Sequence, residues 1–169
     1  MLRELRSILT CSQIIALYQS LVLPHFDYCS TIWGNCGVVL RNKLQKLQNR
    51  AARIITRSGY EVRSTEILSW LGWCDLKTRR NRQKSAVMYR VISGIAPDYL
   101  QELFVQVNEA HNYNLRFSDM NVKFPQPHTE CLRRSLSYSG ARLWNSLPST
   151  IKSLPNLNNF NNVINAYTF

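Results

Sequence analysis

Residues 40–57 (LRNKLQKLQNRAARIITR) constrain the fold more than any other part of the chain, because their apolar side chains recur every three or four residues. The apolar positions are Leu40, Leu44, Leu47, Ala51, Ile54 and Ile55. This spacing predicts an amphipathic helix that buries one face against its neighbours. Ser58 and Gly59 follow, and glycine just past the last periodic residue is typical of a helix C-terminus. We expect Gly59 at the C′ position.

A second row on the same stretch is basic. Its members are Lys43, Lys46, Arg50, Arg53 and Arg57. At about 100° per residue, this row is rotated by roughly a third of a turn from the apolar row. No acidic residue within the stretch neutralises it. Most such rows are solvated helix faces, and contact with a phosphate backbone is the functional alternative.

Residues 76–93 (LKTRRNRQKSAVMYRVIS) predict a second long helix that ends before Gly94 and Pro97. Val87, Met88, Val91 and Ile92 form its expected buried face. Its basic residues are Lys77, Arg79, Arg80, Arg82 and Lys84. Cations in the first turns oppose the helix macrodipole by roughly a few tenths of a kcal/mol each. A bound phosphate backbone is one candidate for what favours them there.

The net charge of +11 is concentrated in one part of the chain. Residues 41–90 carry thirteen basic and three acidic residues, a net charge of +10, while residues 1–40 are neutral and residues 91–169 carry +1. A polyanionic partner would therefore meet a patch. We predict that the two basic sets named above are the nucleic-acid-binding residues.

Shorter elements complete a mainly α prediction, with short strands left open. Residues 11–32 predict helices interrupted at Pro24, with Ile14, Leu17, Tyr18 and Leu21 on one side. Residues 64–71 predict a helix capped by Ser64 or Thr65, and Pro97 precedes another short helix. Residues 113–127 look extended or irregular. Residues 156–169 predict a helix that buries Leu157, Phe160, Val163, Ile164 and Tyr167.

Composition shifts after Gly94, where prolines and asparagines become frequent and net charge falls. We therefore expect a helical region over residues 1–94 and a smaller, irregular α-rich extension over residues 95–169. Within the extension, residues 138–152 (YSGARLWNSLPSTIK) predict a turn at Ser139 and Gly140 and a short helix that stops at Pro148. Ser149 and Thr150 are cap candidates for the next segment. The four tryptophans are expected in the core rather than as base-stacking platforms.

The residue inventory argues against several classes of protein. Five cysteines without a CxxC spacing predict reduced, mostly buried thiols and no disulfide framework. His25, Cys29 and Cys36, or His128 and Cys131, lack the paired short spacings of a zinc site, so we expect no metal. No nucleotide-binding glycine loop and no pair of close carboxylates is present, so we expect neither a cofactor nor catalysis. We also expect no signal peptide and no membrane span, and therefore an intracellular protein of the nucleus or cytoplasm.

Six segments, in order, resemble the C-terminal part of jockey-type non-LTR retrotransposon reverse transcriptases. They are residues 17–34, 43–56, 64–80, 89–104, 113–116 and 138–152. In that family these segments form the thumb and a post-thumb extension, downstream of the catalytic aspartates and of the endonuclease. The resemblance implies that this chain is a non-catalytic fragment of an RNA-directed DNA polymerase whose thumb region is residues 1–94.

A thumb holds the template–primer duplex by its phosphates without reading sequence. The resemblance therefore implies that the Lys43–Arg57 row faces RNA, RNA–DNA hybrid or DNA. Two alternatives stay open. The basic face could meet an acidic protein or the missing palm and fingers, which would make the chain a helical interaction module. It could also be a decayed fragment with no function of its own, whose exposed apolar surface favours aggregation.

Overall fold

The computed structural model describes residues 2–107 and 120–169, and these residues are mainly helical, as predicted. The helices are α1 (Leu2–Leu5), α2 (Cys11–Leu17), α3 (Leu23–Asp27), α4 (Ser30–Trp33), α5 (Val38–Thr56), α6 (Ser64–Trp70), α7 (Leu76–Ile92), α8 (Asp98–Gln101), α9 (Glu130–Arg134), α10 (Leu136–Asn145), α11 (Ser149–Lys152) and α12 (Leu157–Ala166). Among the described residues, β pairing is limited to an antiparallel bridge between Gln106 and Val122. None of the described helices is long and apolar enough to cross a membrane.

The chain divides into two compact units, Met1–Arg80 and Asn81–Phe169. The boundary falls inside α7: Leu76 belongs to a buried cluster of unit 1, whereas Met88, Tyr89 and Val91 belong to the buried cluster of unit 2. The predicted division after Gly94 follows composition and family segments rather than packing, and it stays a prediction. Part of the predicted irregular stretch 113–127 lies outside the described residues.

The core of unit 1 forms where α5 packs against the N-terminal helices. Its buried members are Ile14, Tyr18, Phe26, Ala51, Ile55 and Leu76. Tyr18 stacks on Trp73 with ring centroids 4.4 Å apart. A second cluster of Ala52, Ile67 and Leu68 joins α5 to α6. Alanines at positions 51 and 52 allow the helices to approach closely on that side of α5.

The long helix α5 begins two residues earlier and ends one residue earlier than predicted, and its buried face differs from the predicted one. Leu40 and Leu47 are 54% and 55% exposed, so placing them in the core was wrong. The buried face contains Gln48, Ala51, Ala52 and Ile55 instead. The predicted glycine cap was also wrong, because Arg57 takes the left-handed conformation at φ 56°.

The predicted interruption at Pro24 takes the form of a π-helical turn, Tyr18–Val22, that joins α2 to α3. Pro24 lies in the first turn of α3, where its missing N–H leaves no helical bond unmade. The side chain of Thr10 caps α2 through a capping box with Gln13. Leu21, which was predicted on the buried side, is 51% exposed because the wider turn rotates it outward.

The core of unit 2 forms where α7, α10 and α12 meet. Met88, Trp144, Phe160 and Ile164 are almost fully buried there. The prediction of a turn at Ser139 and Gly140 was wrong, because both residues lie inside α10. A Cβ at Gly140 would lie 2.7 Å from the Met88 Sδ, so this glycine serves close helix packing rather than a turn.

Several predictions about single residues were also wrong. The N-caps of α6 and α11 are Arg63 and Pro148, and neither Ser64, Thr65, Ser149 nor Thr150 makes the predicted cap. Trp70 is 64% exposed rather than in the core. The cysteines are exposed or half-buried, so the expectation of buried thiols was wrong, although all five are free. In α12, Phe160 and Ile164 are buried as predicted but Val163 is 40% exposed.

Candidate nucleic-acid interface

One face of α5 carries three cations that have no ion-pair partner among the described residues. Lys43, Lys46 and Arg50 are all exposed, at spacings of three and four residues. Residues at this spacing lie on one side of a helix. α5 contains no acidic residue, so no carboxylate on the helix offsets the three charges. We call Lys43, Lys46 and Arg50 the α5 outer row.

Two further predicted cations are also exposed. Arg57 follows the last turn of α5, and its Nη2 donates to the carbonyl of Arg6 at 3.1 Å. This bond tethers the N-terminal segment to the end of α5 but leaves the side chain largely in solvent. Lys77 is exposed in the first turn of α7. Both residues can offer charge to an anion, although neither belongs to the α5 outer row.

Arg53 differs from its neighbours in the basic row because it is engaged by the loop that follows α5. Its Nη1 donates to the carbonyls of Gly59 and Val62 at 2.6 and 2.8 Å, and its Nη2 donates to the Ser64 Oγ at 3.0 Å. The guanidinium also lies 5.4 Å from the centroid of the Tyr60 ring. Arg53 therefore fastens the loop between α5 and α6.

Arg79 is held by a carboxylate from α3. Its Nε and Nη2 donate to the two carboxylate oxygens of Asp27, each at 2.7 Å. The hydrogen bonds to Asp27 raise the pKa of Arg79. A bidentate pair of this kind fixes both geometry and charge. Because Asp27 neutralises it, Arg79 adds little to the field outside the molecule.

The remaining predicted cations are buried or half-buried. Arg80 is 5% exposed, with its guanidinium carbon 4.8 Å from the centroid of the Trp33 ring. Lys84 is 4% exposed, and its Nζ donates to the Ser139 Oγ at 3.1 Å within unit 2. Arg82 is half-buried. The long apolar stems of such residues pack well, which is why burial is compatible with their charge.

The structure thus separates the ten predicted residues into two groups. Five are exposed: Lys43, Lys46, Arg50, Arg57 and Lys77. The other five are committed to contacts within the fold or are half-buried. Arg41 is a further cation that was not among the ten predicted residues. It lies off the basic row and is half-buried, and its charge acts on Arg80. Only contact information could have identified it.

Tyr18 lies next to the Arg79–Asp27 pair and has an unusual acidity. Burial raises the pKa of Tyr18 to about 12, and the nearby Arg79 cation offsets only part of that rise. Its hydroxyl has no hydrogen-bond partner among the described residues. Gln48 lies nearby, but its amide donates to the Cys74 carbonyl and accepts from Gln45. The neutral phenol is therefore the form that the fold favours.

This acidity predicts a loss of stability in alkali. An unfolded tyrosine ionises near pH 10, so between about pH 10 and 12 the unfolded chain loses a proton that folded Tyr18 keeps. The free energy of unfolding should therefore fall by about 2 to 3 kcal/mol across that interval. In Tyr18→Phe this contribution should vanish, while stability at neutral pH should change little. Urea midpoints measured against pH for both proteins test this, and parallel curves would contradict it.

Comparisons with models of protein families, with curated proteins and with solved structures give no match for this chain. Within the part of the chain that the structure describes, no group of three or more His, Cys, Asp or Glu side chains is arranged to hold a metal ion. The candidate surface for an anion consists of the α5 outer row, with Arg57 and Lys77 as further exposed cations.

Proposed function

We propose that this chain binds the phosphate backbone of RNA, RNA–DNA hybrid or DNA without reading sequence, as the thumb and post-thumb segment of a jockey-type non-LTR retrotransposon reverse transcriptase. In this proposal the chain holds nucleic acid and performs no chemistry itself. Polymerase activity from this chain alone would contradict it. A nucleic-acid partner places the protein in the nucleus or the cytoplasm.

The observation that carries the proposal is the α5 outer row. At about 1.5 Å per residue, Lys43 to Arg50 covers about 10 Å of helix axis. One strand of a duplex carries one phosphate per about 3.4 Å of axis, so about three phosphates occupy the same length. Three exposed cations on one side of a helix without acidic residues match that charge density. The match requires no contact with the bases.

The decisive experiment is the salt dependence of binding to a fluorescent RNA–DNA hybrid. Each neutralised phosphate contributes about −0.9 to the slope of log affinity against log salt for a duplex. Replacing the α5 outer row by alanine should therefore reduce the steepness of the slope by about 2 to 3, with similar losses for hybrids of unrelated sequence. Fluorescence anisotropy over a series of salt concentrations measures the slope directly.

The matched control removes the same charge elsewhere. Lys123, Arg133 and Arg142 are exposed residues of unit 2, and replacing them by alanine changes the net charge equally. This triple variant should retain nearly the whole slope. If both variants lost slope equally, binding would reflect net charge alone and the α5 outer row would not be the site. If the unmodified protein did not bind hybrid, RNA or DNA, the proposed function itself would fail.

One observation favours a second candidate function, that of a helical protein-interaction module. Leu40 and Leu47 lie beside the α5 outer row and are more than half exposed. Cations flanked by leucines suit an acidic amphipathic helix. Replacing both leucines by serine should leave the salt slope for nucleic acid unchanged if our leading proposal holds. Loss of binding to an acidic amphipathic peptide in that variant, with hybrid binding unchanged, would favour the protein-interaction role.

A further inference from the structure

Arg80 occupies an unusual position within unit 1. Arg80 is 5% exposed, and its Nε and Nη2 are buried without a hydrogen-bond partner among the described residues. The guanidinium lies over the Trp33 ring, which contacts its face but cannot accept its in-plane N–H bonds. A buried cation with unmet donors is costly, so the fold at this position favours a ligand that accepts them.

On α5, the side chain of Gln45 accepts a hydrogen bond from the N–H of Leu76, so Arg41, one turn before Gln45, lies on the side of α5 that faces the start of α7. The Nε of Arg41, on α5, is likewise buried and without a partner in the described chain. The pKa of Arg80 is lowered chiefly by its burial, and the charge of Arg41 lowers it further. The two arginines together carry three buried nitrogens without a hydrogen-bond partner among the described residues: Arg41 Nε, Arg80 Nε and Arg80 Nη2.

The neighbouring carboxylates do not fill this site. Both oxygens of Asp27 accept bonds from Arg79. The Oδ1 of Asp75 accepts from the backbone N–H of Thr78 at 3.3 Å, as a helix-capping carboxylate does. Asp27 and Asp75 act on Arg80 through space and partly compensate its charge. Neither carboxylate accepts a hydrogen bond from the Nε or Nη2 of Arg80.

The backbone around Arg80 is shaped to admit its side chain. A Cβ at Gly34 would lie 2.9 Å from the Cδ of Arg80 and would also clash with the carbonyl of Ser30. Glycine at this position therefore gives the arginine stem room to lie across the end of α4. The indole N–H of Trp33 donates to the Tyr28 carbonyl at 2.5 Å, which fixes the ring beneath the guanidinium.

We propose that Arg41 and Arg80, seated over Trp33, bind one phosphate group. A phosphate has several strong acceptor oxygens and can serve two guanidinium groups at once, which a single water cannot do with comparable charge compensation. Arg41 is only half-buried, so its side provides the approach from solvent. The choice of nucleic acid as the source of that phosphate rests on the function proposed above, whereas the site itself does not.

The test follows the indole resonance of Trp33, identified through a Trp33→Phe variant, in ¹H–¹⁵N spectra. Inorganic phosphate is titrated against chloride at matched ionic strength, and the hybrid is titrated separately. We expect a saturable shift of the Trp33 signal with phosphate and none with chloride. Arg80→Met and Arg41→Met, which keep the stems without the charge, should each abolish the shift. Lys123→Ala, which removes an exposed cation of unit 2, should leave it intact.

The possible results separate this site from the proposed function. A shift with free phosphate supports a phosphate site in general, and a shift with the hybrid alone supports a site for a backbone phosphate. If neither moves the Trp33 signal, the phosphate site is overturned. That result leaves the proposed function standing whenever the hybrid still binds with a steep salt slope. The other three indole signals report whether each methionine variant is folded.

Discussion

Replacing Trp144 by alanine is expected to lower the free energy of unfolding of unit 2 by about 3 to 5 kcal/mol, as for other buried tryptophans. Trp144 is 1% exposed, and its ring packs on Phe160 with centroids 6.0 Å apart. Its Nε1 donates to the carbonyl of Met120 at 2.7 Å. The substitution therefore removes a large apolar volume and leaves one acceptor without its donor.

Two further variants sharpen this prediction. Trp144→Phe keeps much of the ring contact but loses the hydrogen bond, so it should cost roughly half as much as alanine. Trp70→Ala removes the same type of side chain from a site that is 64% exposed, and it should change stability by less than about 0.5 kcal/mol. Amide hydrogen exchange in α10 and α12, measured over a series of urea concentrations, gives the free energy of unfolding of unit 2 in each variant. Similar losses at Trp70 and Trp144 would contradict the core that we describe.

Long periodic stretches allowed the fold class to be predicted, because periodicity over several turns averages out local exceptions. α7 was predicted within one residue, and Gly94 follows it with φ 68°, as expected for a glycine that ends a helix. The cap predictions for α6 and α11 failed because their N-cap residues are Arg63 and Pro148, and neither side chain makes a capping hydrogen bond. The turn predicted at Gly140 was wrong because glycine is favoured both in turns and where helices pack closely, and here the close packing explains it.

The sequence could predict where the basic residues of the candidate site are concentrated, but not which of them are exposed. Sequence periodicity places Arg50 and Arg53 in the same basic row, yet only Arg50 is left to solvent. Arg79 is neutralised by Asp27 from 52 residues away, a contact that no local pattern encodes. The prediction of which face of α5 is buried was wrong for a similar reason. Leu47 and Ala51 both belong to the apolar row of the sequence, but tertiary packing buries Ala51 and leaves Leu47 exposed.

The contrast between Arg53 and Arg50 gives the second large effect. Arg53→Ala should lower the free energy of unfolding by about 2 to 3 kcal/mol, because it removes three charge-assisted hydrogen bonds and a cation–π contact that share one loop. Lysine cannot reproduce a planar donor that reaches two carbonyls and a hydroxyl, so Arg53→Lys should recover less than half of the loss. Arg50→Ala, on the same helix, should stay within about 0.5 kcal/mol of the unmodified protein.

Binding should follow the opposite order, and this reversal makes the prediction specific. Arg50→Ala should reduce the steepness of the salt slope for an RNA–DNA hybrid by about 1, since one phosphate contact is lost. Arg53→Ala, measured where it is still folded, should leave the slope unchanged because its guanidinium is already bonded to Gly59, Val62 and Ser64. Equal slope losses in the two variants would mean that Arg53 leaves its loop to meet phosphate. The basic row would then act as the undivided set that the sequence suggested.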